Sequence, residues 1–148
     1  MLFARLVSLN SLNFDFQECS FSEKLMAVKD AGSGLSREGS GRVGVFRATG
    51  LVNCYTLECH YQTGRRINVL TPKLNLDTGE IDPEDAVTDR NSRIYKDMRT
   101  PNYTTEIFED VGRAVSIALL EWAEVNHISR MATSHYKTLD SLRKELIV

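Results

Sequence analysis

The residues after Pro101 carry the strongest structural signal in the sequence, an apolar face that continues over about four helical turns. Its members are Ile107, Phe108, Val111, Ala114, Val115, Ala118, Leu119 and Trp122. They recur at intervals of three and four residues, the spacing that places side chains on one side of an α-helix. Glu106, Glu109 and Asp110 stand near the N-terminal end, where the helix dipole favours negative charge. The pattern predicts a long amphipathic helix packed on a sheet.

Shorter elements are predicted near both ends of the chain. Apolar residues share one helical face at the start of the chain, and again near its end: Leu2, Phe3, Leu6 and Leu9, then Leu139, Leu142 and Leu146. Between Leu12 and Phe16 apolar and polar residues alternate, which predicts a short strand.

A longer region of alternation predicts a β-hairpin. Residues Arg42–Ala48 and Leu51–Tyr61 alternate on either side of Thr49-Gly50, a pair typical of a tight turn. The face predicted for Glu58 also holds Cys54, Thr56 and His60, and the opposite face holds Tyr55, Leu57 and Cys59. The pattern therefore predicts that Glu58 lies near the C-terminal end of the second strand, with its carboxylate facing a cleft.

Two segments predict loops at the surface. Glycines and serines dominate residues 31–41, without the residue order of a phosphate-binding loop. Residues 77–89 contain six acidic side chains and no Lys or Arg, and Gly79 and Pro83 interrupt regular structure. The acids do not follow the spacing of a calcium-binding loop, so this segment is predicted to be a solvated insertion.

Composition excludes several classes of protein. The chain has 148 residues, 42% hydrophobic and 26% charged, with a formal net charge of -2. These values fit neither a disordered acidic tail nor a basic nucleic-acid-binding domain. We find no secretory leader and no stretch of membrane-spanning length, and the odd number of cysteines favours reduced thiols. The sequence predicts a cytoplasmic protein with no nucleic-acid or membrane partner.

A resemblance to a known family emerges from five short blocks in order along the chain. These are Asn13–Phe16, Cys19–Lys24, Ser36–Val43, Tyr55–Cys59 and Tyr61–Arg65. Together they resemble the C-terminal part of the catalytic domain of the cytosolic carboxypeptidases, zinc enzymes that remove glutamates from tubulin and other proteins. The resemblance implies an α/β fold, the C-terminal part of a mixed-sheet zinc-carboxypeptidase domain. It also implies that Glu58 matches the general base of the family.

The resemblance implies Zn²⁺ as cofactor but supplies no ligand for it in this chain. Family members hold zinc through a His-x-x-Glu pair and a later histidine, all before the region that this chain resembles. The sequence has no His-x-x-Glu, and none of its histidines, His60, His127 and His135, matches a family ligand. A site built from Cys54, Cys59 and His60 is not expected, because Cys59 is predicted to point away from the other two.

Arg42 and Arg65 are the candidate substrate-binding residues. The resemblance implies glutamylated protein tails, such as those of tubulin, as partners, and a cytoplasmic location that can include microtubules. A planar guanidinium can bind a carboxylate of such a tail through two hydrogen bonds. Pairing of Arg42 with Glu38, or exposure to solvent, is the alternative for that residue.

Two positions depart from the family pattern. Relatives read Asn-Met-Tyr where this chain has Leu25-Met26-Ala27, so an amide and a phenol are lost. His60 stands where relatives carry asparagine, two residues after Glu58. The first departure puts in doubt any contact that the tyrosine of the family pattern would make with the substrate.

The predicted organisation divides the chain at residue 130. Residues 1–130 are interpreted as the C-terminal portion of a catalytic domain, with an acidic insertion at about residues 71–100, and residues 131–148 as a C-terminal helical tail. Two functions follow. The chain is part of a metallocarboxypeptidase that removes C-terminal or branch-point glutamates, or it is a truncated, non-catalytic remnant that acts as a binding module.

Overall fold

A computed structural model describes residues 1–22, 29, 31–34, 41–64, 68–82, 85–96 and 102–147. Within it the chain divides into two compact units. The first combines Met1–Cys19 with His60–Val148, and the second consists of Ser20–Cys59. The predicted mixture of helices and sheet is confirmed, and the sheet of the first unit is small and antiparallel.

Helix α5, Thr105–Trp122, is the longest described helix and lies where the sequence predicts it. Thr104 precedes it in an extended conformation, and a hydrogen bond with the Thr104 side chain lowers the pKa of Glu106 in the first turn. Val111, Ala114 and Ala118 of the predicted apolar face are buried, whereas Phe108 and Leu119 of the same face are exposed. Small side chains on that face allow another helix to approach closely.

The approaching helix is α1, Leu2–Ser8, so the main partner of α5 is a helix and not the predicted sheet. The end helix, α6, Leu139–Leu146, adds to the same core and also contacts α1. Thr138 caps α6, because its side chain accepts a hydrogen bond from the Ser141 backbone N–H. The buried core consists of Leu6, Val7, Ala114, Ala118, Met131, Tyr136, Leu139 and Leu142. Both shorter predicted helices are therefore confirmed, and residues after 130 supply part of the core.

A three-stranded antiparallel sheet completes the first unit, in the order β2, β1, β3. The strands are β1, Lys73–Asn75, β2, Ile81–Asp82, and β3, Ile128–Ser129. Leu74 pairs with Ile81 on one side and with Ser129 on the other. Two short helices follow β2, α3 at Asp85–Thr88 and α4 at Arg93–Lys96. The acidic segment, residues 77–89, thus contains β2 and α3 and is not only a solvated loop.

The buried Glu121 joins the end of α5 to β3. Its Oε1 accepts hydrogen bonds from Ser129 Oγ at 2.7 Å and from Asn126 Nδ2 at 2.8 Å. A buried carboxylate requires such partners, since an unsatisfied one costs several kcal/mol. These bonds fix the sheet relative to the helix.

The predicted strand at Leu12–Phe16 is wrong. That segment is irregular, and the Asn68 side chain holds it by donating to the carbonyl oxygens of Ser11 and Phe14, each at 2.7 Å. The backbone N–H of Asn68 also donates to the Leu12 carbonyl oxygen. The carbonyl groups that would be hydrogen-bonded to a partner strand in a sheet are therefore bonded to the side chain and the backbone N–H of Asn68.

The predicted hairpin at residues 42–61 is also wrong. Gly41–Thr49 form helix α2, and residues 51–60 contain no strand. Gly50 ends the helix with a φ of 73°, and its N–H donates to the Phe46 carbonyl oxygen at 2.7 Å. A glycine at positive φ closes a helix as readily as it forms a hairpin turn, which is why Thr49-Gly50 is ambiguous in the sequence.

Among the described residues, no helix is both long enough and apolar enough to cross a membrane.

Candidate functional site

Glu58 lies in the irregular, exposed segment at residues 51–60, which belongs to the second unit up to Cys59. The carboxylate does not end a strand, and it makes no hydrogen bond or ion pair to another described residue. The strand position predicted for Glu58 is therefore wrong. Apolar neighbours are exposed with it, including Val52 at 77% and Leu57 at 48%. Nothing in the described part of this unit buries or orients the carboxylate.

Tyr55 opens the Tyr55–Cys59 motif and is partly sheltered. Its hydroxyl donates to Asn53 Oδ1 at 3.1 Å. Although 41% of the residue is exposed, burial of the remainder raises the pKa of the Tyr55 phenol. The phenol therefore remains a neutral hydrogen-bond donor around neutral pH.

The structure does not pair Arg42 with Glu58. Arg42 is half-buried in the first turn of α2 and forms no hydrogen bond or ion pair with that carboxylate. The second candidate, Arg65, lies outside the described residues, as do Glu38 and Leu25–Ala27.

His60 begins a tight turn in the first unit. Its Nδ1 accepts hydrogen bonds from the backbone N–H of Gln62 at 3.1 Å and of Thr63 at 2.9 Å. This is the arrangement that an asparagine or aspartate side chain makes in an Asx-turn, with an imidazole nitrogen in place of oxygen. The backbone carbonyl oxygen of Gln62 then accepts a hydrogen bond from the backbone N–H of Tyr103 at 2.7 Å. The turn is thereby tied to the segment that leads into α5.

Gly64 completes this connection. Thr63 forms an antiparallel bridge with Asn102, and the Tyr103 ring packs directly over Gly64. A Cβ atom at Gly64 would overlap that ring. Tyr103 also makes an edge-to-face contact with Phe108 of α5, with ring centroids 5.7 Å apart.

Sequence reasoning misses this turn, because alternation assigns His60 to the end of a strand. One signal is nevertheless present. The asparagine that the family resemblance implies at this position would be a side-chain acceptor for a turn, and a neutral imidazole can provide the same acceptor.

The described residues do not fit a zinc site. No group of three or more His, Cys, Asp or Glu side chains that could hold a metal ion occurs among them. Cys19, Cys54 and Cys59 are free thiols. The pKa of the Cys19 thiol is raised, mainly by burial and to a smaller extent by the nearby Asp15 carboxylate. A catalytic zinc needs about three protein ligands.

No protein-family model matches the chain. Individual known proteins do match it, and those that match carry the same name. The chain is 44% identical over 143 residues to cytosolic carboxypeptidase-like protein 5 of Rattus norvegicus, which covers 97% of this chain and 16% of the relative. The same protein of Danio rerio is 43% identical over 147 residues, 99% of this chain and 15% of the relative. That of Homo sapiens is 43% identical over 143 residues, 97% of this chain and 15% of the relative.

The chain thus spans about a sixth of the length of these relatives. The similarity nevertheless runs through both units and includes almost every residue of the chain. Over nearly its whole length the chain is a homologue of one segment of the cytosolic carboxypeptidase-like proteins, and the family predicted from its motifs is confirmed.

Proposed function

We propose that this chain is the part of a cytosolic carboxypeptidase that supplies the general base, Glu58, for removing glutamates from the C-terminal ends or branch points of protein tails. Glutamylated tails such as those of tubulin are the proposed substrates. The observation that carries this proposal is the identity of 43–44% to cytosolic carboxypeptidase-like protein 5 across nearly the whole chain.

The chemistry assigned to Glu58 is proton transfer. Hydrolysis of a peptide bond requires water to attack the carbonyl carbon while a base accepts a proton from that water. A carboxylate within about 2.6–3.2 Å of the proton donor contributes about 10²–10⁴-fold to the rate. The exposed carboxylate of Glu58 has room to receive a substrate, but it needs further protein to hold it in place.

The zinc that the family resemblance implies would be held by residues outside this chain, because the sequence has no His-x-x-Glu and no group able to bind a metal occurs among the described residues. Arg42 is proposed as a contact for a substrate carboxylate. This residue is half-buried in the first turn of α2, and a planar guanidinium can bind a carboxylate through two hydrogen bonds.

A second function is supported by a different observation. The Glu58 carboxylate is exposed and is held by no hydrogen bond or ion pair to another described residue, an arrangement that a non-catalytic binding module would tolerate. In that case the chain would bind a glutamylated tail without cleaving it.

A chimera separates the two functions. In it, this chain replaces the matching segment of the Danio rerio relative, and glutamate release from a polyglutamylated peptide is measured. We expect release by the chimera, and we expect Glu58→Gln to reduce turnover by about 10²-fold or more, because glutamine cannot take a proton. Binding of the peptide should be nearly unchanged.

The matched control is Glu109→Gln, which changes an exposed glutamate on α5 in the same way. It should leave turnover unchanged. Near-normal turnover in Glu58→Gln would remove the general-base assignment. A folded chimera that binds the peptide but releases no glutamate would favour the binding module.

A further inference from the structure

The turn at residues 60–63 depends on the protonation state of one side chain. Both hydrogen bonds that close it end on His60 Nδ1, from the N–H groups of Gln62 and Thr63. An imidazole nitrogen accepts a hydrogen bond only when it carries no proton, so the geometry requires the neutral ring with its proton on Nε2. A doubly protonated ring has two donors and no acceptor.

We propose that the turn at residues 60–63 is a pH-sensitive element, closed while His60 is neutral and opened when His60 is protonated. Protonation places an N–H of the ring against two backbone N–H groups, which replaces two attractive contacts by repulsive ones. Histidine is the side chain that commonly changes charge between about pH 5 and pH 8. Closure is therefore expected on the alkaline side of this range and opening on the acidic side.

Among the described residues, the contacts of the His60 ring are the two hydrogen bonds of the turn. No ion pair between described residues includes His60, and no metal-binding cluster there includes it. The titratable neighbours along the chain are Glu58, Cys59 and Tyr61, and Tyr103 belongs to the segment bonded to the turn. The other two histidines contact carboxylates. His127 Nδ1 lies 3.0 Å from Asp77 Oδ2, and His135 Nε2 lies 3.6 Å from Glu145 Oε2.

Opening of the turn has a defined structural consequence. The Gln62 carbonyl oxygen and Thr63 connect the turn to Asn102 and Tyr103, immediately before α5. Loss of the two His60 bonds frees the backbone that makes this connection. The start of α5 should therefore be less firmly held at low pH.

Substitution by asparagine isolates the effect. The Oδ1 of asparagine and the Nδ1 of histidine are both bonded directly to Cγ, so His60→Asn keeps an acceptor at nearly the same place but cannot be protonated in this range. His60→Ala removes the acceptor altogether. His127→Asn, which changes a histidine outside the turn, is the control.

The test is nuclear magnetic resonance on the 148-residue chain between about pH 5 and pH 8. The His60 ring should be the Nε2–H tautomer at the alkaline end. Hydrogen-exchange protection of the Gln62 and Thr63 amides, relative to their intrinsic rates, should fall about three- to ten-fold at the acidic end. Protection should be independent of pH in His60→Asn, low throughout in His60→Ala, and as in the unsubstituted chain in His127→Asn.

An Nδ1–H tautomer at the alkaline end would overturn the proposal. Unprotected Gln62 and Thr63 amides at the same pH, or an equal acid-induced loss in His60→Asn, would do so as well. The test does not use enzymatic activity, so its outcome is independent of the function proposed for Glu58.

Discussion

At the scale of single residues, Gly64 shows how a close contact restricts the choice of side chain. The Tyr103 ring occupies the space that a Cβ atom would need, and Tyr103 is itself held by Gln62 and Phe108. Gly64→Ala must therefore displace a ring that has little freedom to move. We expect a loss of about 1–3 kcal/mol in the free energy of unfolding, measured by urea denaturation.

The control is Gly112→Ala in α5. Nothing lies within 4 Å of a Cβ atom at Gly112, and this position is exposed. Alanine there should leave stability unchanged or raise it by up to about 1 kcal/mol, because alanine favours the helix. Equal effects of the two substitutions would show that the contact with Tyr103 does not restrict Gly64.

Single residues are also where the sequence is least informative. It identifies Glu58 and Arg42 as candidates through a resemblance, yet their surroundings cannot be derived from alternation. Residues 51–60 do alternate, but a strand forms only where a partner strand satisfies its backbone, and alternation does not supply that partner. The role of His60 as an acceptor depends on a local turn, which periodicity cannot reveal.

At the scale of elements, the end of α5 carries a strained residue. Ala123 caps the helix, and Glu124 follows with a φ of 58°. The Val125 N–H donates to the Leu120 carbonyl oxygen and the Glu124 N–H to that of Glu121, which is the Schellman pattern. Glycine is the residue usually found at this left-handed position, because other residues have a Cβ that crowds the backbone.

Glu124→Gly should accordingly raise the free energy of unfolding by about 0.5–1 kcal/mol, as seen in thermal or urea denaturation. Glu124→Ala removes the same carboxylate but keeps a Cβ, so it should give no such gain. If alanine stabilises the protein as much as glycine does, loss of the charge and not relief of strain is the cause.

Prediction from sequence succeeds for elements whose own apolar face decides their structure. Helices α1, α5 and α6 each present residues at helical spacing, and the core receives them, as with Leu6, Ala114 and Leu142. It fails for α2, where Val43 is the buried residue and Thr49-Gly50 suits either a turn or a helix end. The apolar residues of α2 have only a weak helical spacing, so the sequence is compatible with a strand as well as with a helix.

At the scale of the whole molecule, the described residues lack what a zinc peptidase needs. We expect the isolated chain to bind no zinc tightly and to release no glutamate from a polyglutamylated peptide, because no group of three ligands is formed among those residues and Glu58 is not held in place. Equilibrium dialysis against zinc checks the first expectation and an amino-acid release assay the second. One tightly bound zinc per chain would contradict the first, and measurable release would contradict the second.

The first unit is built from the two sides of the Ser20–Cys59 segment, and this determines when it can form during synthesis. Arg5 Nε donates to the Tyr136 hydroxyl at 2.8 Å across 131 residues of sequence, and Leu6 shares its core with Leu139 and Leu142. A ribosome adds about 5–20 residues per second, so these partners are synthesised on the order of ten seconds after α1. The core of the first unit therefore cannot be completed before Leu142 has been synthesised.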